Sequence, residues 1–246
     1  MSKNYELLRK AGKDLELLFN ESAPSPQGDG EPVHLNGGSR VREEVLKLIQ
    51  RTFLNGVPGG PRRVVFSAVD HGNGCSWVCA RAAEALAAHV ESSVCVVEAN
   101  ARTPSLHRYF GVSPGSGFLD AMLQQGPVHN FARPIRGSNL WLMSGRALPS
   151  EGAGILTSEH LKVRFAELCT EFGYVLIDAP PVNESAESVL FGRMADGVVL
   201  VLEAHVTHRE AARKAKENLE TANVRLLGAV LNKRTFPVPR ALYKRV

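Results

Sequence analysis

The sequence predicts an α/β domain built on a doubly wound, mainly parallel sheet. Short apolar runs alternate with helical stretches along most of the chain, as right-handed strand–helix–strand crossovers require. The 246 residues, 44% of them hydrophobic, suit one large domain. A glycine-bearing turn between the first apolar run and an alanine-rich helix adds an architecture that binds phosphate groups.

The pattern of the first forty residues predicts a short helix followed by a flexible linker. Leucine and alanine recur at three- and four-residue steps across residues 4–19, which indicates a short amphipathic helix in need of a partner surface. The prolines, glycines and polar residues that follow are typical of a flexible linker. We therefore divide the chain into an N-terminal helix (1–20), a linker (21–39) and a folded domain (40–246).

The folded domain predicts six strands and five helices. The strands are expected at residues 64–68, 93–98, 139–143, 174–178, 197–203 and 225–231. The helices are expected at residues 41–54, 76–89, 161–172, 185–193 and 210–222. In a sheet of this kind, ligands bind outside the carboxyl ends of the strands.

Composition and charge exclude several classes of function. The net charge is +4 and the basic residues are scattered, so nucleic-acid binding is not indicated. The four cysteines follow no zinc-site spacing, and reduced thiols in a cytosol fit them best. The N-terminus is charged and no eighteen apolar residues run together, so we expect a cytoplasmic protein that does not span the membrane by itself.

Residues 67–77 have the length, the glycines and the strand–loop–helix setting of a Walker A loop. Backbone amides at the helix N-terminus are expected to hold phosphate oxygens, and a serine hydroxyl to reach Mg²⁺. The cofactor-contacting residues would be Gly72, Asn73, Gly74, Cys75, Ser76 and Trp77. An ordinary strand-to-helix turn remains the alternative interpretation.

Cys75 stands where a Walker A loop has its lysine. That lysine neutralises charge between the β- and γ-phosphates, and such electrostatic stabilisation is the main catalytic resource in phosphoryl transfer. A helix N-terminus tends to lower a thiol pKa, and the resulting thiolate would repel phosphate. The sequence of the loop therefore predicts that ATP or ADP with Mg²⁺ binds weakly or not at all. It also predicts that phosphoryl transfer is not fast.

Asp178 ends the apolar run 174–177, in the manner of a Walker B strand. The carboxyl end of a parallel strand presents such a carboxylate to the ligand crevice, where it holds magnesium directly or through water. Because Pro180 and Pro181 follow closely, a carboxylate that caps the next turn is the alternative.

A third motif, residues 96–106, makes a family resemblance specific. Together with the glycine loop and the Asp-Ala-Pro-Pro strand, it resembles the cytoplasmic bacterial tyrosine kinases (BY-kinases, CpsD/CapB-like) of capsular and exopolysaccharide systems. These are P-loop proteins related to the MinD/ParA ATPases. Further matches follow in family order at residues 106–111, 117–120, 142–145 and 228–232. The resemblance covers about residues 40–235.

The resemblance implies a set of site residues and partners. Asn232 would lie by the adenine base, and Asp178 and Glu98 would be the catalytic carboxylates. The metal ligands would be Ser76, Asp178, Glu98 and Asn100. The implied activity is ATP-dependent tyrosine autophosphorylation. The implied partner is a membrane-anchored polysaccharide co-polymerase, or chain-length adaptor, which would keep the protein at the inner face of the cell membrane.

The site departs from the family pattern in three places besides Cys75. Where the family carries two aspartates, this chain has Glu98 and Asn100, so metal affinity should fall. Trp77 replaces a small hydroxyl residue and either crowds the nucleotide or packs under the sheet.

Two departures concern assembly and modification. The helix that forms homo-oligomers in the family carries a glutamate and two arginines, but Glu44, Lys47 and Gln50 occupy those places here, which puts ring formation in doubt. The tyrosine-rich tail is reduced to Tyr243, which is either a phosphosite or an anchor against the surface.

These observations favour a catalytically impaired BY-kinase-like protein, a pseudoenzyme that regulates or scaffolds polysaccharide assembly. One alternative is an active autokinase in which Arg102 or Lys233 replaces the missing lysine. A second is a MinD/ParA-like positioning ATPase, although residues 68–71 lack the additional lysine that such proteins place early in the loop.

Overall fold

A computed structural model describes residues 16–18, 39–56, 58–135, 137–144 and 159–234. Tyr243, residues 21–38 of the predicted linker and most of the predicted N-terminal helix lie outside the described residues, whereas Ser39, the last linker residue, begins a helix. Within those ranges no helix is both long enough and apolar enough to cross a lipid bilayer.

One eight-stranded sheet runs through the described part of the chain, in the order β1-β8-β7-β2-β6-β3-β5-β4. Its strands are β1 (Glu16–Leu18), β2 (Arg63–Ala68), β3 (Val94–Glu98), β4 (Arg133–Pro134), β5 (Leu140–Met143), β6 (Tyr174–Ala179), β7 (Gly197–Glu203) and β8 (Leu226–Asn232). All pairs are parallel except β4 with β5. The predicted fold class is confirmed.

Helices cover both faces of the sheet. They are α1 (Ser39–Thr52), α2 (Cys75–Ala87), α3 (Leu106–Tyr109), α4 (Phe118–Leu123), α5 (Glu159–Glu171), α6 (Ala186–Met194) and α7 (Arg209–Thr221), with a 3₁₀ turn at Val128–Phe131. The first three pack in one hydrophobic cluster and the last four in another. Neighbouring residues of β2 belong to opposite clusters, because successive side chains of a strand point to opposite faces.

The helix predicted over residues 4–19 is wrong at residues 16–18. These residues form β1, which runs parallel to β8 with Glu16 opposite Ala229 and Leu18 opposite Leu231. Without β1, the last residues of β8 would be an open sheet edge with unpaired backbone groups. Pairing with this edge is a tertiary contact that the local hydrophobic pattern does not encode.

The order of the strands places three predicted motifs side by side. β2 leads into the glycine loop and lies next to β6, which carries Asp178. β3 lies on the other side of β6, with Glu98 opposite Asp178. The candidate site therefore forms at the carboxyl ends of three adjacent parallel strands, where the fold class predicts ligand binding.

Candidate nucleotide-binding site

Two glycines shape the loop between β2 and α2. Gly72 has φ +87° and Gly74 has φ +82°, in the left-handed region that residues with a side chain rarely adopt. Gly74 directly precedes α2, and no side chain caps the helix there. The first turn of α2 also carries no acidic residue of its own. The amides at this helix start and the positive end of the helix dipole therefore suit an anion such as phosphate.

The loop is fixed by hydrogen bonds from three directions. Within the loop, the Asp70 amide donates to Asn73 Oδ1 at 3.0 Å. From β8, Asn232 Nδ2 donates to the Asn73 carbonyl at 2.9 Å. The His71 amide donates to Glu184 Oε1 at 2.9 Å, beyond the end of β6. These contacts give Asn73 a structural role and hold the loop in shape before any ligand arrives.

Substituting Gly74 with alanine should distort the loop more than its backbone angle alone predicts. The new Cβ would lie 2.3 Å from Asn232 Nδ2, closer than real Cβ atoms approach. We expect the free energy of unfolding to fall by about 3 kcal/mol, measured by urea denaturation. Gly59→Ala is the matched control, because Gly59 has φ +73° but open space around it. It should cost about 1 kcal/mol, and equal losses in both variants would contradict the close approach.

Cys75 presents a neutral thiol to the loop. The residue is 8% exposed, and burial raises its thiol pKa well above the ordinary value, with the negative charge of Asp178 acting in the same direction. The tendency of a helix N-terminus to lower a thiol pKa is therefore outweighed here, and no thiolate forms at neutral pH. Cys75 neither repels phosphate as an anion nor supplies the cation that the Walker A lysine would give.

Asp178 is a buried carboxylate without hydrogen-bond partners among the described residues. It is 1% exposed, and neither Oδ1 nor Oδ2 meets a donor in good geometry. Burial raises its pKa from 3.8 to about 7, and the nearby charge of Glu98 adds to the rise. The hydroxyl of Ser76 and the thiol of Cys75 lie close enough to lower this pKa in part, although neither is aligned for a full hydrogen bond. The carboxylate is therefore stabilised by binding either a proton or a cation.

Magnesium fits this arrangement. A carboxylate and a hydroxyl are oxygen ligands of the kind that Mg²⁺ prefers, and Mg²⁺ takes its remaining ligands from phosphates and water. In the described ranges, no three His, Cys, Asp or Glu side chains are grouped to hold a metal by themselves. Asp178 and Ser76 would leave the remaining positions on the metal to the phosphates of a nucleotide and to water.

Both carboxylate oxygens of Glu98 accept hydrogen bonds from other protein groups. Its Oε1 accepts hydrogen bonds from the amides of Ser105 and Leu106, the latter at 2.6 Å, and its Oε2 accepts one from Ser144 Oγ at 2.6 Å. Burial raises the pKa of Glu98, while these hydrogen bonds lower it in part. The carboxylate ties the start of α3 to the end of β5. Its predicted catalytic and metal-binding roles stay predictions.

Asn100 and Trp77 have different surroundings. Asn100 is half-buried and its Nδ2 donates to Thr103 Oγ1 at 3.2 Å, within its own loop. A metal contact from Asn100 stays a prediction. Trp77 is 9% exposed and belongs to the hydrophobic cluster shared by α1, α2 and the sheet. Of the two interpretations left open by the sequence, packing under the sheet is the one that this placement favours.

The end of β8 lies against the outer side of the loop. Asn232 is fully buried and its Oδ1 has no partner in the described part of the chain, so its predicted contact with adenine stays a prediction. Lys233 Nζ donates to the Gly72 carbonyl at 2.8 Å and to Glu203 Oε2 at 3.0 Å. Arg102 is exposed. Lys233 is thus already bonded to protein groups, which weakens it as a substitute for the missing lysine.

Sequence reasoning missed Tyr109. Burial raises the pKa of its phenol, and the negative charge of Asp178 is the next cause, so the ring lies near the site. Arg81 Nη2 donates to the Tyr109 carbonyl at 3.3 Å, which joins α2 to α3. The available signal was the family match at residues 106–111, which contains Tyr109, but the helix that ends there is too short to predict.

Similar proteins are found among bacterial tyrosine kinases. The chain is 28% identical to the tyrosine-protein kinase YwqD of Bacillus subtilis, over 80% of this chain and 89% of that protein. It is 26% identical to a putative tyrosine-protein kinase, CapB, of Staphylococcus aureus, over 56% of this chain and 60% of that protein. No protein-family model matches the chain.

Solved structures show the same similarity in three dimensions. The kinase domain of the Escherichia coli tyrosine kinase ETK superposes with a TM-score of 0.82 at 15% identity, over 97% of each chain. The BceF tyrosine kinase domain has a TM-score of 0.68 at 26% identity, over 80% of this chain and 79% of the other. In the MinC:MinD cell division complex of Aquifex aeolicus, a chain matches with a TM-score of 0.59 at 19% identity, over 75% and 72%.

Proposed function

We propose that this chain, a homologue of the bacterial tyrosine kinases that shares their P-loop fold, is a catalytically impaired member that regulates or scaffolds polysaccharide assembly. One observation carries the proposal. Among the described residues, the loop keeps its left-handed glycines, a helix start without a side-chain cap and an Asp178 carboxylate without a hydrogen-bond partner, whereas a buried, neutral thiol replaces the cation. Such a site suits nucleotide binding better than phosphoryl transfer.

The retained residues have definite tasks when a nucleotide is present. The amides between Gly72 and Ser76 hold phosphate oxygens at the start of α2. Asp178 and Ser76 would hold Mg²⁺, which would neutralise part of the negative charge of the phosphates. Cys75 contributes no positive charge, so the β- and γ-phosphates would depend more on the metal and the helix dipole than they do in a loop that has the lysine.

The partner and the location follow from the family resemblance. We propose a membrane-anchored chain-length adaptor of capsule or exopolysaccharide synthesis as the partner, which would hold this cytoplasmic protein at the inner face of the membrane. Self-assembly through α1 has weaker support. Lys47 pairs with Glu43 at 2.8 Å and Glu44 at 2.9 Å on its own helix, so its charge is already matched within the protein.

Phosphorylation and binding assays on the full chain test this proposal. We expect calorimetry to detect Mg²⁺-dependent binding of ADP or ATP to the natural protein. We also expect mass spectrometry to find no phosphotyrosine after incubation with Mg²⁺ and ATP, at Tyr243 or elsewhere. Phosphate at Tyr243 would instead identify an active autokinase. Failure of both nucleotides to bind would restrict the protein to a scaffolding role.

A further inference from the structure

The ammonium group of Lys233 donates a hydrogen bond to a backbone carbonyl of the glycine loop. Lys233 Nζ bonds both the Gly72 carbonyl, at 2.8 Å, and Glu203 Oε2, at 3.0 Å. The side chains of Lys233 and Glu203 are 26% and 17% exposed. This pair is better sheltered from water than an ordinary surface salt bridge, so its attraction is less screened.

The backbone at Lys233 is held in an uncommon conformation. Lys233 has φ +56°, a left-handed angle that costs free energy for a residue with a Cβ. Such conformations persist where surrounding contacts hold them, and they concentrate at functional sites. The preceding residue, Asn232, also bonds the loop, and its carbonyl accepts a hydrogen bond from the Ala204 amide at 2.9 Å. The turn after β7 and the end of β8 therefore meet at the loop.

We propose that Lys233 and Glu203 are a positioning pair for the nucleotide site. Lys233 fixes the Gly72 carbonyl, and Glu203 fixes the ammonium group of Lys233. When loop amides converge on an anion, the neighbouring carbonyls face away from it. By holding a carbonyl, Lys233 keeps the amides directed at the phosphates and does not touch the phosphates itself. This inference rests on the proposed nucleotide binding, but its first test does not.

The first test measures hydrogen exchange of the amides of residues 70–76 in the ligand-free protein. We expect Lys233→Met to speed their exchange about tenfold, because the loop loses a charge-assisted hydrogen bond. Lys233→Arg should restore near-natural exchange, since its guanidinium keeps the charge and the donors. Lys216→Met is the matched control. Lys216 pairs with Glu220 at the same 3.0 Å, on the surface of α7, and its loss should leave the loop unchanged.

The second test measures the affinity for ADP with Mg²⁺ by calorimetry. We expect Lys233→Met to bind about five- to twentyfold more weakly. Glu203→Gln should have a smaller effect, and the double variant should be no worse than Lys233→Met alone, because the two residues act as one unit. Lys233→Arg should again approach the natural affinity.

The two tests separate the inference from the proposed function. If the natural protein binds no nucleotide but Lys233→Met speeds loop exchange, nucleotide binding fails and the positioning pair stands. Natural exchange rates in Lys233→Met would overturn the positioning pair, whether or not ADP binds. Equal acceleration in Lys216→Met would overturn it as well, because the effect would not be specific to the loop.

Discussion

Replacing Asp178 with asparagine is expected to stabilise the ligand-free protein by about 2 to 4 kcal/mol at pH 8. The natural carboxylate is buried without hydrogen-bond partners in the described structure, and its pKa is raised to about 7. Its ionisation at pH 8 therefore opposes folding by about 4 kcal/mol, the free-energy equivalent of a shift from 3.8 to about 7. The neutral amide avoids this cost but buries polar atoms of its own, which reduces the gain.

The pH dependence of stability follows from the direction of the shift. Between about pH 4 and pH 7, folded Asp178 keeps a proton that the unfolded chain releases, so its stabilising contribution is full below pH 4 and is lost as the pH rises. Urea denaturation with a metal chelator, from pH 4.5 to pH 8, should show the stability advantage of Asp178→Asn over the natural protein growing up to about pH 7 and levelling off above it. A constant difference between the two proteins would contradict the raised pKa.

Replacing Asp178 should not remove the whole pH dependence of stability, because Glu98 contributes to it as well. Its pKa is also raised by burial, so Asp178→Asn should keep a smaller decline of stability with rising pH. The two carboxylates lie opposite each other in β3 and β6, and the negative charge of Glu98 adds to the raised pKa of Asp178. We therefore expect Glu98 to account for the decline that remains in Asp178→Asn.

The fold could be predicted where the sequence pattern reports burial directly. β7 was predicted at residues 197–203 and has those bounds, because a run of apolar residues there fills the centre of the sheet. α3 and α4 were not predicted, since four and six residues are too few to show helical periodicity. β1 was missed because its partner, β8, lies more than two hundred residues away in the sequence.

The site could be predicted in its chemistry but not in its electrostatics. The spacing of Gly72, Gly74 and Asp178 located the loop and the strand that the structure brings together. The pKa of Cys75 depends on how deeply α2 is buried, which no local motif states. Likewise, the anchoring contact of Glu98 with Ser144 joins residues that are far apart in the sequence and depends on the pairing of β3 with β5.

Replacing Cys75 with lysine should raise the affinity for ADP and ATP with Mg²⁺ about ten- to a hundredfold. The ammonium group would enter a loop whose shape is already fixed from β8, so it adds charge-assisted hydrogen bonds to phosphate without the cost of ordering the backbone. Calorimetric titration of the natural protein and the variant measures the change. ATP should gain more than ADP, because the lysine of a Walker A loop acts between the β- and γ-phosphates.

A neutral control separates the charge from the loss of the thiol. Cys75→Met extends the side chain without a charge and should gain no affinity, so an equal gain in this variant would contradict the electrostatic explanation. In the ligand-free Cys75→Lys variant, the introduced ammonium group would also lie beside Asp178 and lower its pKa, since an opposite charge favours the ionised carboxylate. The decline of stability between pH 4 and pH 7 should therefore shrink in Cys75→Lys and persist in Cys75→Met. Nucleotide affinity and pH dependence would then change together, because the introduced cation acts on both the phosphates and Asp178.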